Sequence, residues 1–365
     1  MKVPFVMLSK YYEAYKEEID RKFQSVMDEG NYVLGKEVSC FESNMAEFCE
    51  CRNAVSCANG LDAIYLALRG FGVEAGDEVI VPSNTYIATW IAVSRVGATP
   101  IPCEPQSDTF NIDPTKVEPL ITDKTKAILP VDLYGRPCDI DYINEIARDN
   151  NLKVIIDAAQ SFGARYKGRI VGSGADATAF SFYPTKPLGA VGDGGCITTS
   201  DYGIAERTRM LRNYGSSAKY VNKHIGINSR LDELQAGLLN VKLKHFRKLD
   251  EARHAVAKFY NESISNPMVR QPVADGDIIS SWHLYVVRSE RRNELQTWLK
   301  NREIDTIVHY PVPPHLQEAY DSLGYSSGSY PITERMAGEV LSLPIDPFIS
   351  SEQMEFVANS INRFR

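Results

Sequence analysis

The sequence predicts an α/β protein: a mostly parallel central sheet sandwiched by helices, followed by a small C-terminal α+β domain. Three observations carry that expectation. From residue 54 to residue 199, short apolar runs alternate with helical stretches. The runs are continuous rather than alternating polar and apolar, as in strands covered on both faces. After a long helical stretch at 231–264, the pattern changes to strand, helix, strand, helix.

The elements follow in order. Residues 11–28 place Tyr12, Tyr15, Ile19, Phe23 and Val26 at helical spacing, and a second short helix carries Val38, Phe41, Met45 and Phe48. AVSCA (54–58) precedes the helix LDAIYLALRGF, and DEVIVP (77–82) precedes TYIATWIAVSRVG. ATPIP (98–102), KAILPV (126–131), the helix DIDYINEIARDN, KVIID (153–157), TAFSF (178–182) and GCITT (195–199) complete the α/β part. Residues 231–264 read as one helix, which Asn266-Pro267 stops. Then come the strand WHLYVV (282–287), the helix RRNELQTWLKNRE, a strand DTIVHY (305–310) and a last helix near 351–363. The expected division is a large domain over 1–250, including the N-terminal helical segment, and a small one over 251–365.

Composition excludes several function classes. The chain has 365 residues, a net charge of −7, 44% hydrophobic and 24% charged residues, which suits two folded domains rather than a disordered chain. Mild acidity argues against sequence-independent nucleic-acid binding, which needs a basic face. No run of about 18 apolar residues could span a membrane, and the opening MKVPFVMLSKYYEAYKEE lacks the apolar core of a signal peptide. The seven cysteines, an odd count, form no CxxC, and the six His show no metal-ligand spacing, so no metal site is expected. The cysteines read as reduced and the protein as cytoplasmic.

The most informative segment is SFYPTKPLGAVGDGGC, residues 181–196. A lysine taken alone is ordinarily a solvated surface residue. Lys186, however, follows a strand directly, is constrained by Tyr183, Pro184 and Pro187, and precedes four glycines between 189 and 195 that let backbone approach a ligand. A lysine at a strand end in a dry pocket has a lowered pKa and acts as an amine nucleophile toward carbonyls. In VIIDAAQSFGA (154–164), Asp157 ends a buried strand, where ligands gather in open α/β sheets. It reads either as a turn residue or as the carboxylate that keeps a pyridinium nitrogen protonated, and Gln160 can bond a second atom of the same ligand. In SCANGLDAIYLAL (56–68), the strand, Asn59-Gly60 turn and helix form a phosphate cradle, a weak signal by itself.

These segments together resemble the DegT/StrS-type sugar aminotransferases, pyridoxal-phosphate enzymes of fold type I. NGLDAI, SNTYIAT, DAAQSFGA, SFYPTKPLG-x-x-GDGG and GINSRLDELQA occur in the family's order. The match begins with Pro4, Phe5 and Leu8 and runs to IVHYPVPPHLQEAY (307–320). The resemblance implies that Lys186 binds pyridoxal 5'-phosphate covalently and shuttles the proton. It also implies that Asp157 pairs with the pyridinium nitrogen, Gln160 contacts the phenolic oxygen and Tyr86 stacks on the ring. The backbone amides of Gly60 and Leu61 and the Ser181 hydroxyl would hold the phosphate. A Thr is common in the family where this chain has Leu61. Asn228 would reach the phosphate from a neighbouring subunit, which implies a homodimer with shared active sites.

The implied reaction moves an amine from L-glutamate to the 3-keto group of a nucleotide-linked sugar. Leu61 and Asp193-Gly194-Gly195 resemble the members acting on dTDP-3-keto-6-deoxyhexoses. KPLG after the lysine resembles members that aminate a UDP-linked 3-keto uronic acid, and a 4-keto-6-deoxyhexose is a further alternative. Arg212, Lys219, Lys223 and Arg230 are cations for the diphosphate; Lys219 and Arg230 are the preferred two, although a solvated loop would look the same. Tyr183, His309 and Tyr310 are candidates for the sugar pocket. A lysine Schiff-base aldolase would not need Asp157, Tyr86 and a phosphate cradle together. A non-catalytic cofactor-binding regulator would not need Lys186, Asp157 and Gln160, and only about 30 residues precede the core, too few for a DNA-binding domain.

Overall fold

The computed structural model describes residues 1–274 and 276–365. Its helices are α1 (Leu8–Glu29), α2 (Lys36–Phe48), α3 (Gly60–Gly70), α4 (Ile87–Arg95), α5 (Ile140–Asp149), α6 (Tyr202–Leu211), α7 (Glu233–Lys244), α8 (Phe246–Ser263), α9 (Arg292–Lys300), α10 (Pro331–Glu339) and α11 (Ser351–Asn362). Its strands are β1 (Asn53–Cys57), β2 (Glu78–Pro82), β3 (Thr99–Cys103), β4 (Thr125–Ile128), β5 (Lys153–Asp157), β6 (Arg165–Tyr166), β7 (Arg169–Ile170), β8 (Ala177–Ser181), β9 (Gly195–Thr199), β10 (Ser216–Ala218), β11 (Val221–Asn222), β12 (Ile278–Ile279), β13 (Tyr285–Arg288) and β14 (Val340–Leu343).

The central sheet has seven strands in the order β1-β9-β8-β5-β4-β2-β3. Every neighbouring pair is parallel except the two that β9 makes, with β1 and β8. The apolar runs are buried because both faces are covered. On one face Phe41, Met45, Ile143 and Phe162 pack against the sheet; on the other Ile64, Leu68, Trp90 and Val93 do. The carboxyl ends of β1, β2, β5 and β8 open on the same edge, where turns take over and ligand chemistry concentrates in such sheets.

The C-terminal part carries its own core of Tyr260, Tyr285, Val287, Leu295, Leu299, Leu341 and Val357. Val3 joins that core and bridges Ile304, so the chain's first residues pack with its last hundred. β12 pairs with β6 in a separate three-stranded sheet, β12-β6-β7, which ties the same segment to the loop that follows β5.

Two expectations change. The helix expected over 231–264 breaks at His245 into α7 and α8. No Pro or Gly marks the break; the His245 ring instead stacks on Tyr15 at 4.3 Å and bonds Glu18 at 2.8 Å, pinning the junction to α1. The strand expected at 305–310 shrinks to one bridge, Ile307 with Ser342, because β14 takes the place beside β13. The Val340–Leu343 run sits at the end of a helical stretch and is too short to read as a strand from pattern alone.

Candidate active site

Lys186 stands in a closed loop at the end of β8. Lys186 N donates to Tyr183 O at 2.8 Å, Ala190 N to Phe182 O at 2.7 Å and Phe182 N to Gly194 O at 2.8 Å. Gly189 folds against Pro184 so tightly that any Cβ would run into the Pro184 carbonyl. The Lys186 ammonium has no hydrogen-bond partner among the described residues. Lost hydration pushes its pKa down to about 8, and the charge of Asp157 opposes that shift.

Asp157 is buried at the end of β5. Thr89 Oγ1, in the first turn of α4, donates to its Oδ2 at 2.8 Å, and Ala159 N to its Oδ1 at 3.1 Å. Burial raises its pKa, while Thr89, Ala159 and Lys186 each pull the other way. No cation among the described residues is bonded to it, so the carboxylate is held in place with capacity left for a positively charged partner.

Gln160 lies one turn beyond Asp157. Its Oε1 accepts from Tyr134 N at 2.6 Å and its Nε2 donates to Tyr310 OH at 3.1 Å. The Tyr310 ring lies 5.1 Å from that of Tyr86, and Tyr86 is half exposed over the opening. His309 Nδ1 meets Ser342 Oγ at 2.8 Å, and burial with the Lys186 charge pushes its pKa down to about 4. The imidazole is therefore neutral at physiological pH.

A phosphate-sized cradle faces these groups. Asn59 caps α3 by accepting from Asp62 N at 2.8 Å, which leaves the Gly60 and Leu61 N–H groups without acceptors among the described residues. A Cβ on Gly60 would sit 2.6 Å from Ser181 Cβ, so only glycine lets this helix end approach the Ser181 hydroxyl. Ser229 Oγ accepts from Ala58 N at 3.1 Å and braces the turn. Exposed N–H groups at a helix start, a hydroxyl, a free amine and an unpaired carboxylate fit a phosphorylated, carbonyl-bearing, cationic ring.

The structure thus brings Gly60, Leu61, Asp157, Gln160, Ser181, Lys186, Tyr86, His309 and Tyr310 to one edge of the sheet and the small-domain segment above it. Tyr183 is exposed on the same loop as Lys186. The 212–230 segment differs. Arg212 is buried and committed to Glu42 and to Ser56 O, so it is not a diphosphate ligand. Arg230 donates to Asn213 Oδ1 at 2.9 Å, and Lys219 rests over the Tyr220 ring on the exposed β10–β11 hairpin. Asn228 is exposed and pairs through its backbone with Asn213.

Three site residues escaped sequence reasoning. Thr89 falls three residues after Tyr86 on a helix, a spacing that could have paired them. Tyr134 orients Gln160 through its backbone, with left-handed φ 61°, and bonds His309 O through its hydroxyl. His283, whose protonation burial and the charges of Lys186, His309 and Arg253 oppose, carries no local signal.

A family model described as the DegT/DnrJ/EryC1/StrS aminotransferase family matches residues 13–362. The chain is 48% identical over 364 residues to a dTDP-3-amino-3,4,6-trideoxy-alpha-D-glucose transaminase of Streptomyces venezuelae, covering 100% of this chain and 96% of that one. It is 48% identical to a dTDP-3-amino-3,6-dideoxy-alpha-D-galactopyranose transaminase of Aneurinibacillus thermoaerophilus, over 99% of each chain. Among solved structures, NtdA of Bacillus subtilis with bound cofactor PMP superposes with a TM-score of 0.92 at 30% identity, covering 99% of this chain and 84% of that one.

Proposed function

This chain belongs to the DegT/DnrJ/EryC1/StrS aminotransferase family, and from that premise we propose the substrate and the residues that serve it. The protein is a nucleotide-sugar aminotransferase whose cofactor is pyridoxal 5'-phosphate. Its substrates are L-glutamate and a dTDP-linked 3-keto-6-deoxyhexose; the products are 2-oxoglutarate and the dTDP-3-amino sugar. The observation that carries the chemistry is the free amine of Lys186 set against the buried, cation-free carboxylate of Asp157. The 3-amino position is supported by both dTDP-sugar transaminases above.

When bound, the cofactor supplies an aldehyde and a ring that draws off negative charge from the amine-bearing carbon. Lys186 is its covalent anchor. With a pKa near 8, a useful fraction of the amine is neutral near pH 7, so one group can take a proton from the substrate carbon and return it. Asp157, fixed by Thr89 and Ala159, presents a carboxylate to the ring N–H. Gln160 Nε2 is turned into the site toward Tyr310 and serves the phenolic oxygen. Gly60, Leu61 and Ser181 would hold the phosphate, and Tyr86 would cover the ring.

The second half of the site comes from a second copy of the chain. Tyr220 and Ile225 are each 89% exposed, and Val191, Tyr183, Tyr214 and Val221 add apolar surface on the loops near the site. A monomer rarely leaves so much apolar surface to water. An isologous dimer would bury it and carry Asn228, Lys219 and Arg230 toward the partner's phosphates. The seven unpaired cysteines suit a reducing compartment, and we place the enzyme in the cytoplasm. No helix among the described residues is long and apolar enough to cross a membrane.

The test is a visible spectrum of the loaded enzyme. Its band should bleach with L-glutamate and return with dTDP-3-keto-6-deoxygalactose or its gluco epimer. Bleaching without return would remove the sugar assignment. Return only with a UDP-linked 3-keto uronic acid would move the enzyme to that branch. For the shared site, Lys186→Ala and Asn228→Asp are mixed: hybrid dimers regain activity if Asn228 acts across the interface and stay inactive if it serves its own subunit.

A further inference from the structure

Helix α7 grips the loop that carries Lys186. Gln235 Oε1 accepts from Val191 N at 2.9 Å, and Gln235 Nε2 donates to Val191 O at 3.0 Å. Two helical turns further along the same face, Lys242 Nζ donates to Gly189 O at 2.5 Å. All three bonds end on main chain, and all fall on the return limb of the Lys186 loop. The loop's own bonds, with Gly189 jammed against Pro184, leave little slack between residues 189–191 and the lysine. A shift at the clamp is therefore passed to Lys186 rather than absorbed.

Lys242 is an unexpected occupant of its position. It is 8% exposed, and no carboxylate pairs with it among the described residues. The Tyr11 ring lies 5.2 Å from its ammonium. An ammonium buried without a counter-ion is costly, and a methionine of similar length would fill the space without that cost. What a methionine lacks is the charge-assisted bond to a carbonyl oxygen, stronger than a neutral one.

We propose that Lys242, with Gln235, is a positioning residue for the transamination: α7 uses them to clamp the backbone at 189–191 and so fix the direction of the Lys186 amine. The proposal rests on the reading of Lys186 as the reacting amine. It gives a purpose to the LDELQA end of the GINSRLDELQA motif. There, Glu233 accepts from the N–H groups of Gly35, Glu37 and Val38 and anchors α7 to the start of α2.

The test compares Lys242→Met and Gln235→Leu with the parent protein, by hydrogen exchange on the cofactor-free enzyme and by steady-state kinetics on the loaded one. Loss of the clamp should speed exchange in a peptide covering 183–192 by about fivefold or more, leaving β8 and α7 unchanged. It should lower kcat by about tenfold with KM for both substrates within about twofold, as misaligned geometry does. Unchanged exchange in that peptide overturns the proposal. So does exchange that rises throughout α7 while kcat and both KM values move together, which marks general loosening. Gln235 is only half-buried, so its variant reads out if Lys242→Met fails to fold. Lys186→Ala is the control: it should be inactive with slow exchange at 189–191. Activity in that control would sink the role of Lys186, and the exchange data would still judge the clamp.

Discussion

The edge of the sheet and the stretch from 216 to 228 are built in opposite ways. At the sheet edge, each reacting or holding side chain is buried or braced by protein. Asp157 has Thr89 and Ala159, Gln160 has Tyr134 and Tyr310, and the Gly60 turn has Ser229. In the 216–228 stretch, Lys219 and Tyr220 meet only each other among the described residues, and Asn228 and Ile225 face solvent. The first region is preorganised within one chain and suits steps common to any amine substrate. The second is exposed in one chain, the feature on which the proposed pairing with a second copy rests.

The largest effect should come from the most enclosed group. Lys186→Ala should lower turnover by at least on the order of a thousandfold, because in the proposed mechanism one group both anchors the cofactor and moves the proton. Circular dichroism should be unchanged, since the amine has no hydrogen-bond partner among the described residues. Residual turnover near that of the parent would mean the proton passes through another group, and the contrast between the two regions would fail. Asp157→Asn comes next. The amide keeps shape and removes charge, so kcat should fall about a hundredfold or more, in the range of lost preorganised electrostatics.

Gly60→Ala should be milder. Its Cβ would meet Ser181 Cβ at 2.6 Å, so the cradle must open slightly. Cofactor affinity should drop about tenfold, near 1.4 kcal/mol, with kcat at saturating cofactor little changed. Tyr220→Ala should act differently. The side chain is 89% exposed and supports nothing in one chain, so the melting temperature of a dilute sample should hold while KM for the nucleotide sugar rises several-fold. A fall in kcat alone would place Tyr220 with the chemistry and blur the two regions.

The same contrast explains what was legible in the sequence. Asp157 and Ser181 are the last residues of β5 and β8, and Lys186 lies five residues past the end of β8, so an apolar run names the position and the residues at its end name the chemistry. The dTDP-sugar branch is legible only through the family resemblance at Leu61 and Asp193-Gly194-Gly195. The place of Arg212 is not legible locally, because its sequence neighbours look like a solvated loop, whereas its partners Glu42 and Ser56 come from distant elements. His283 and Tyr134 were invisible for the same reason: their roles depend on the small-domain strand folding over the sheet edge. The antiparallel sense of β9 was likewise unreadable, because a buried strand has the same composition in either direction. The break at His245 is set by Tyr15 and Glu18 of another helix, not by a local breaker.

The smallest effect is the most specific to the cleft. In the cofactor-free enzyme, the Lys186 amine should react with an amine-directed reagent along a titration centred near pH 8, well below the usual 10.5. Burial disfavours the ammonium and lowers the pKa, and the Asp157 charge favours the ammonium and raises it. Asp157→Asn removes only the second influence, so the midpoint should move further down, and the amine should become more reactive at pH 7 even as catalysis is lost. Because the folded pKa lies below the unfolded one, the unfolded chain binds more protons between about pH 8 and 10.5. The penalty that Lys186 places on folding is therefore full below pH 8 and is relieved as pH rises through that window. Lys186→Ala should abolish that part of the stability profile. A midpoint near 10.5, or one that moves up in Asp157→Asn, would show an amine bathed in water, and the cleft would then be no drier than the hairpin it is contrasted with.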